Sequence, residues 1–191
     1  TISLRGYDQR QISIFVDGVP VSSPYEGFID LSNLPVSSIK KIKVSKSIPS
    51  LLYGPNAMGG TVNFITEESS DNFNADVTLS GGARRYGGIS ASGRYGKFFW
   101  STGANYAESG GYDLPDDKAY GKNEDGRIRD NSQFENLGGH LKVGVKRFYN
   151  FDLALSFMTT DNSKGVPTDI YTDYPRYWKY TEWKKNITNF M

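Results

Sequence analysis

The groups able to do chemistry in these 191 residues are few and unevenly placed. The sole histidine, His140, lies between Gly139 and Leu141, and there is no cysteine. Thiol nucleophiles, zinc ribbons, disulfide frameworks and paired-histidine metal sites are therefore excluded. His140 has no Ser-His-Asp context, so nothing supports nucleophilic catalysis and the sequence does not read as an enzyme. Acidic residues gather at 113–117 and at Glu124-Asp125 without the spacing of an EF-hand, which reads as solvated loop charge. Lys40, Lys41, Lys43 and Lys46 form a basic run. The chain carries 22 Lys+Arg against 21 Asp+Glu, and no aromatic residue interleaves with the run, which argues against a nucleic-acid partner. The run reads as a strand edge facing carboxylates or water. Gly54, Gly59 and Gly60 lack the following Lys-Ser/Thr of a phosphate loop and read as backbone requirements for tight turns and close packing. The densest aromatic stretch is Tyr171-Thr172-Asp173-Tyr174-Pro175-Arg176-Tyr177-Trp178-Lys179-Tyr180-Thr181-Glu182-Trp183. It suits an interfacial aromatic belt, or an outer loop whose Arg176 and Tyr177 contact an anionic or ring-bearing ligand.

The elements that position these groups fall into two regimes that meet near residues 67–72. In the first, Ile12-Ser13-Ile14-Phe15-Val16 reads as a buried strand that turns back at Asp17-Gly18 through Val19-Pro20-Val21. Pro35 opens a short helix ending near Ile39. Ile42 and Val44 alternate with Lys41 and Lys43 in a half-polar strand. Ser47 caps a helical turn that runs through Tyr53 and stops at Gly54. Residues 61–66 form a further strand. Short strands and helices in alternation predict a small α/β unit.

From about Asn72 the pattern changes to period-2 alternation, in five segments and an incomplete sixth. Phe73, Ala75, Val77 and Leu79 share one face of the first, and Ile89, Ala91, Gly93 and Tyr95 one face of the second. Phe98, Trp100, Thr102, Ala104 and Tyr106 do so in the third, Leu141, Val143 and Val145 in the fourth, and Phe151, Leu153, Leu155 and Phe157 in the fifth. The intervening residues are mostly polar or small, His140 and Lys142 among them, with Phe99 an exception in the third segment. The sixth segment starts near Lys185. Gly96-Lys97 and Phe148-Tyr149-Asn150 are tight turns, 84–87 is a short link, and 109–133 and 161–184 are long polar links. Two architectures share this pattern: a transmembrane β-barrel, with short turns at one rim and long loops at the other, and a soluble β-sandwich with long loops. No apolar run approaches the roughly 18 residues of a transmembrane helix. Low mean hydropathy does not exclude barrel strands, because their polar face masks their apolar one. Six strands leave an open edge that lipid does not tolerate. The sequence opens without an initiator Met or a signal peptide and stops in strand-like Asn189-Phe190-Met191, which predicts a mature or partial chain.

The first regime resembles the C-terminal half of the plug domain of TonB-dependent outer-membrane receptors. The resemblance is carried by Leu4-Arg5-Gly6, then Ile14-Phe15-Val16-Asp17-Gly18-Val19-Pro20-Val21, Asp30-Leu31-Ser32-Asn33-Leu34-Pro35 and Ile39-Lys40-Lys41-Ile42-Lys43-Val44. Its most specific stretch runs from Leu52-Tyr53-Gly54-Pro55-Asn56-Ala57-Met58-Gly59-Gly60 into Thr61-Val62-Asn63-Phe64-Ile65-Thr66. The chain departs from the family at Lys40 and Lys43, where acidic residues are common. It departs again at Lys46-Ser47-Ile48, where Arg-Gly-Pro is usual. In the family, charges on this strand and turn help hold the plug to the barrel wall; here Lys46 is the nearest substitute for the Arg. The family's first plug half and its energy-coupling box have no counterpart in these residues.

The resemblance implies part of a plug at 1–66, a linker at 67–72 and the first strands of an outer-membrane barrel at 73–191. Plugged transporter barrels have about 22 strands, so six are roughly a quarter of one. It further implies TonB-driven import of a scarce ligand, such as an iron chelate, a corrinoid, haem or a glycan, across the outer membrane of a Gram-negative-type bacterium. The implied partners are TonB with its inner-membrane complex, outer-membrane lipid and the small ligand; no intrinsic cofactor is implied. Arg5, Asp17, Gly18, Lys46, Tyr53, Gly54, Gly59 and Gly60 become candidates for plug structure and barrel contact. Tyr25, Glu26 and Phe28, between two plug strands, become candidate apical ligand contacts beside Arg176 and Tyr177. The competing reading is a soluble or surface-attached β-rich binding module without transport.

Overall fold

The computed structural model describes residues 2–21, 29–31, 34–46, 57–66, 72–114, 121–124 and 126–191. The first sheet is built from β1 (Ile12–Val16), β2 (Val19–Pro20), β3 (Ile39–Ser45) and β4 (Gly60–Thr66), in the order β2-β1-β4-β3. β1 and β4 run parallel in the middle, and both edges are antiparallel. A central strand buried on both faces needs continuous apolar sequence, and β1 supplies it: Ile12, Ile14, Phe15 and Val16 are all buried. The hairpin to β2 turns at Asp17 and Gly18, which both take positive φ. At Gly60, φ is +130°, and an added Cβ would press on the Ser45 carbonyl oxygen and lie 2.7 Å from Leu4 Cδ2. Only glycine lets β4 begin so close to the end of β3.

The second sheet is an antiparallel meander of six strands: β5 (Phe73–Ser80), β6 (Arg84–Tyr95), β7 (Phe98–Ser109), β8 (Phe134–Phe148), β9 (Phe151–Val166) and β10 (Trp178–Phe190). Each strand pairs with its sequence neighbours. The predicted faces hold in register. Leu141, Val143 and Phe157 are 50%, 43% and 43% exposed on the outer side, whereas His140, Lys142 and Ser156 on the inner side are 6%, 2% and 2% exposed. The turn between β8 and β9 places Tyr149 and Asn150 at φ +47° and +71°, as a type I′ hairpin requires. The first sheet packs on the polar face of the meander. Its core of Ile12, Ile14, Val16, Ile29, Leu34, Val62 and Phe64 is completed by Met158 of β9.

Several expected boundaries differ. Residues 84–87, read as a link, belong to β6, and the connection is 81–83. Gly87 and Gly88 suggest a break in sequence, but Gly87 is paired with both Leu79 and Tyr106, and the Tyr86 side chain lies over the bare backbone of Gly88. The second long link shrinks from 161–184 to 167–177, and β10 begins at Trp178 rather than near Lys185. The cause is cross-strand pairing of polar residues, Lys184 with Asp161 and Tyr180 with Lys164, which periodicity does not detect. The helix predicted after Pro35 is a single 3-10 turn, Val36–Ser38. A second 3-10 turn, Gln9–Gln11, is capped by Asp8. Helix among the described residues thus amounts to less than an α/β label suggests. The turn expected from Ser47 to Tyr53 lies outside the described residues. No helix among the described residues is long and apolar enough to cross a membrane, which says nothing about crossing by strands.

Candidate functional site

The inner face of the meander meets the first sheet along a polar seam. At its lower end, nearer the tight turns, the Asp17 carboxylate accepts from the Thr66 backbone N–H at 2.9 Å and from the Thr66 hydroxyl. The Lys142 ammonium of β8 lies 3.1 Å from Asp17 Oδ2 and donates to Thr66 Oγ1 at 3.0 Å. The Lys142 and Asp17 side chains are 3% and 6% exposed. This placement follows from local sequence: Asp17 is the first residue of the β1–β2 turn, Thr66 ends β4, and Lys142 occupies an inward register position of β8. A buried pair is tolerated only when its remaining hydrogen-bonding capacity is met, as Thr66 does here.

The upper seam is held by other contacts. Lys164 of β9 pairs with Asp30, and the Lys185 ammonium of β10 donates to the Val21 carbonyl at 3.3 Å. Ser37 donates to Asn105 Oδ1 at 3.2 Å; Asn105 donates to Asn136 Oδ1 at 3.2 Å, and Asn136 to Asn162 Oδ1. A cavity of about 460 Å³ opens above this amide chain, floored by Leu31 and Leu34 of the first sheet's connection and walled by Tyr86, Tyr112 and Phe134. Apolar and aromatic lining with a few convergent amides is the common make-up of a small-molecule site.

Above the cavity the two long loops are laced together. Asn123 donates to the Asp169 and Thr172 carbonyls at 2.9 and 2.8 Å, Arg129 donates to the Thr168 carbonyl, and Lys122 pairs with Asp173. Glu124, expected to be solvated loop charge, has a side chain only 1% exposed, because it pairs with Arg129 and accepts from the Asp130 N–H.

The sequence candidates are distributed as follows. Asp17 and Gly18 form the turn at the lower seam. Arg5 is exposed and donates to the Lys46 carbonyl at 2.8 Å, and Lys46 itself is exposed. Gly59 is buried against Tyr7, next to Gly60. Arg176 and Tyr177 lie exposed in the 167–177 loop, while Trp178, Tyr180 and Trp183 of the same aromatic stretch belong to β10. Tyr25, Glu26, Phe28, Tyr53 and Gly54 lie outside the described residues. Sequence reasoning missed Thr66, Lys142, Asp30 and Lys164. Lys142 carried a signal, since a lysine at an inward position of a half-apolar strand requires a counter-charge across the interior.

Residues 1–61 match the family model described as TonB-dependent Receptor Plug Domain. That match places the first third of the chain in the TonB-dependent receptor plug domain family. A vitamin B12 transporter of Photobacterium profundum is 27% identical to this chain over 154 residues, 78% of this chain and 25% of that relative. The FrpB iron transporter of Neisseria meningitidis (F3-3 variant) superposes with a TM-score of 0.63 at 16% identity, over 95% of this chain and 30% of that one. The copper transporter OprC gives a TM-score of 0.57 at 17% identity, over 83% and 25% of the two chains. At these identities the solved structures bear on fold alone. The chain spans about a quarter of the length of the B12 transporter it matches. β1, β2, β3 and the start of β4 lie within the residues that match the plug model, and the two sheets together share the fold of the superposed transporters.

Proposed function

We propose that this chain forms part of the plug and wall of a receptor that imports a scarce ligand across the outer membrane, with TonB supplying the work. Residues 1–66 act as plug, 67–72 as linker and 73–191 as barrel wall. The observation that carries this reading is the two-faced meander: its outer face presents Leu141, Val143 and Phe157, while its inner face buries Lys142, Ser156 and Asn162 against the plug. Lipid satisfies the first face and a plugged, polar lumen the second. A soluble binding module would leave the outer apolar face in water, where so extensive a patch is uncommon. The cavity above Leu31 and Leu34 is the ligand chamber, open toward the long loops, with Tyr25, Glu26, Phe28, Arg176 and Tyr177 as candidate contacts. An outer membrane holds no ATP, so work on the plug must arrive mechanically from the inner membrane, which is the role assigned to TonB. A corrinoid and an iron chelate are the first ligands to test, given what the similar receptors transport.

The test is uptake by cells that carry the full-length receptor as their only route for cyanocobalamin, a ferric siderophore or haem. Accumulation of one of these that stops with a protonophore and with loss of TonB is expected. Uptake of none of them, or uptake indifferent to TonB, would overturn the reading.

A further inference from the structure

The lower seam holds more than a clamp. Asp17 presents its carboxylate to three donors: the Thr66 backbone N–H at 2.9 Å, the Thr66 hydroxyl, and the Lys142 ammonium at 3.1 Å. These donors converge on one carboxylate, carried by a turn whose Asp17 and Gly18 N–H groups donate to the Phe64 carbonyl at 2.9 Å and to Asn63 Oδ1 at 3.1 Å. Beside them lies a cavity of about 270 Å³, lined in part by Asn63, Phe99, Lys142, Lys146 and Asp152. Lys146 faces the same space, 5.3 Å from the centre of the Phe99 ring, and pairs with Asp152 at 3.4 Å; Lys142 lies 5.9 Å from that ring. Among the described residues, the titratable groups that line this space with Lys142 include Asp17 from the plug, and Lys146 and Asp152 from the wall. Two cations converge on one aromatic ring, and a carboxylate beside the buried one, that of Asp17, comes from the plug.

We propose that the corner formed by Lys142 and Thr66 is an oxyanion site, filled in the seated plug by the Asp17 carboxylate and able to take a free carboxylate in its place. A buried ammonium that loses its partner is strongly destabilised unless another anion replaces it, and the neighbouring cavity gives a small oxyanion room to enter. Once the turn carrying Asp17 withdraws, Lys142 and Lys146 face the lumen together and offer acid groups of a passing ligand a landing point on the wall. This last step rests on the import reading; the occupancy of the site does not.

The experiment is chemical rescue in the purified full-length receptor, read by hydrogen exchange of the β4 amides. Asp17→Ala is expected to speed exchange across Gly60–Thr66 by about tenfold or more. Acetate titrated at constant ionic strength, with chloride as the balancing anion, then restores most of the protection along a saturable curve. Acetate has no such effect on the parent receptor or on Asp17→Ala/Lys142→Met. If Asp17→Ala does not fold, Asp17→Gly, which suits the positive φ of this turn position and leaves the corner empty, takes its place. Rescue that is absent, that does not saturate, or that persists without Lys142 overturns the site. Loss of TonB-dependent uptake with rescue intact would instead count against the import reading alone.

Discussion

Lys142 and Asp17 are 125 residues apart in sequence, yet their charged atoms lie 3.1 Å apart in the interior, joining the six-stranded meander to the first sheet. Removing the lysine alone leaves the carboxylate buried with only the Thr66 donors. Lys142→Met is therefore expected to weaken plug seating by about 3–5 kcal/mol. Asp17→Asn/Lys142→Met, with no charge left to bury, recovers most of that loss. Urea titration of plug release in the full-length receptor, run as a double-mutant cycle, measures the coupling. Additive single effects would show that the pair does not interact.

The outer face makes a second prediction. Leu141 sits mid-strand on the apolar side of β8, so Leu141→Arg is expected to cost about 2–4 kcal/mol of folding stability in a bilayer. Ser90→Arg, inward and partly exposed on β6, costs far less. Folding titrations of the full-length receptor into phospholipid vesicles compare the two. Equal costs would remove the case for a lipid-facing side.

At Gly60 the backbone itself is under constraint, with φ +130° and the Ser45 carbonyl where a side chain would begin. Gly60→Ala is expected to destabilise the plug by about 1–3 kcal/mol, seen as faster tryptic cleavage at Lys41 and Lys43. Gly81→Ala, where nothing lies within 4 Å of the added carbon, is the neutral control.

The long loops are expected to loosen together. Arg129→Ala leaves Glu124 buried without its cation and frees the Thr168 carbonyl. Hydrogen exchange then rises by about tenfold or more both in 121–131 and in 167–177. Lys122→Ala removes a pair whose side chains are 61% and 74% exposed, and changes little. A rise confined to the first loop would mean that the two are not mechanically joined.

By itself the sequence determined the strand faces. Period-2 alternation fixes which side of β5 to β9 is apolar, because successive side chains of a strand must point to opposite faces. It also located the turn at Asp17-Gly18, where backbone geometry restricts residue choice locally. It did not find the full extent of β6, β9 and β10, since Gly87, Asp161 and Lys184 are held in strands by partners on neighbouring strands. Nor did it assign the contact between the two sheets: Lys46 stood nearest the family's usual cation, yet it is exposed, and among the described residues Lys142 and Lys164 carry ion pairs to Asp17 and Asp30. Local pattern reports how a residue suits its own strand. Which buried charge meets which depends on how two sheets dock, and only the tertiary structure decides that.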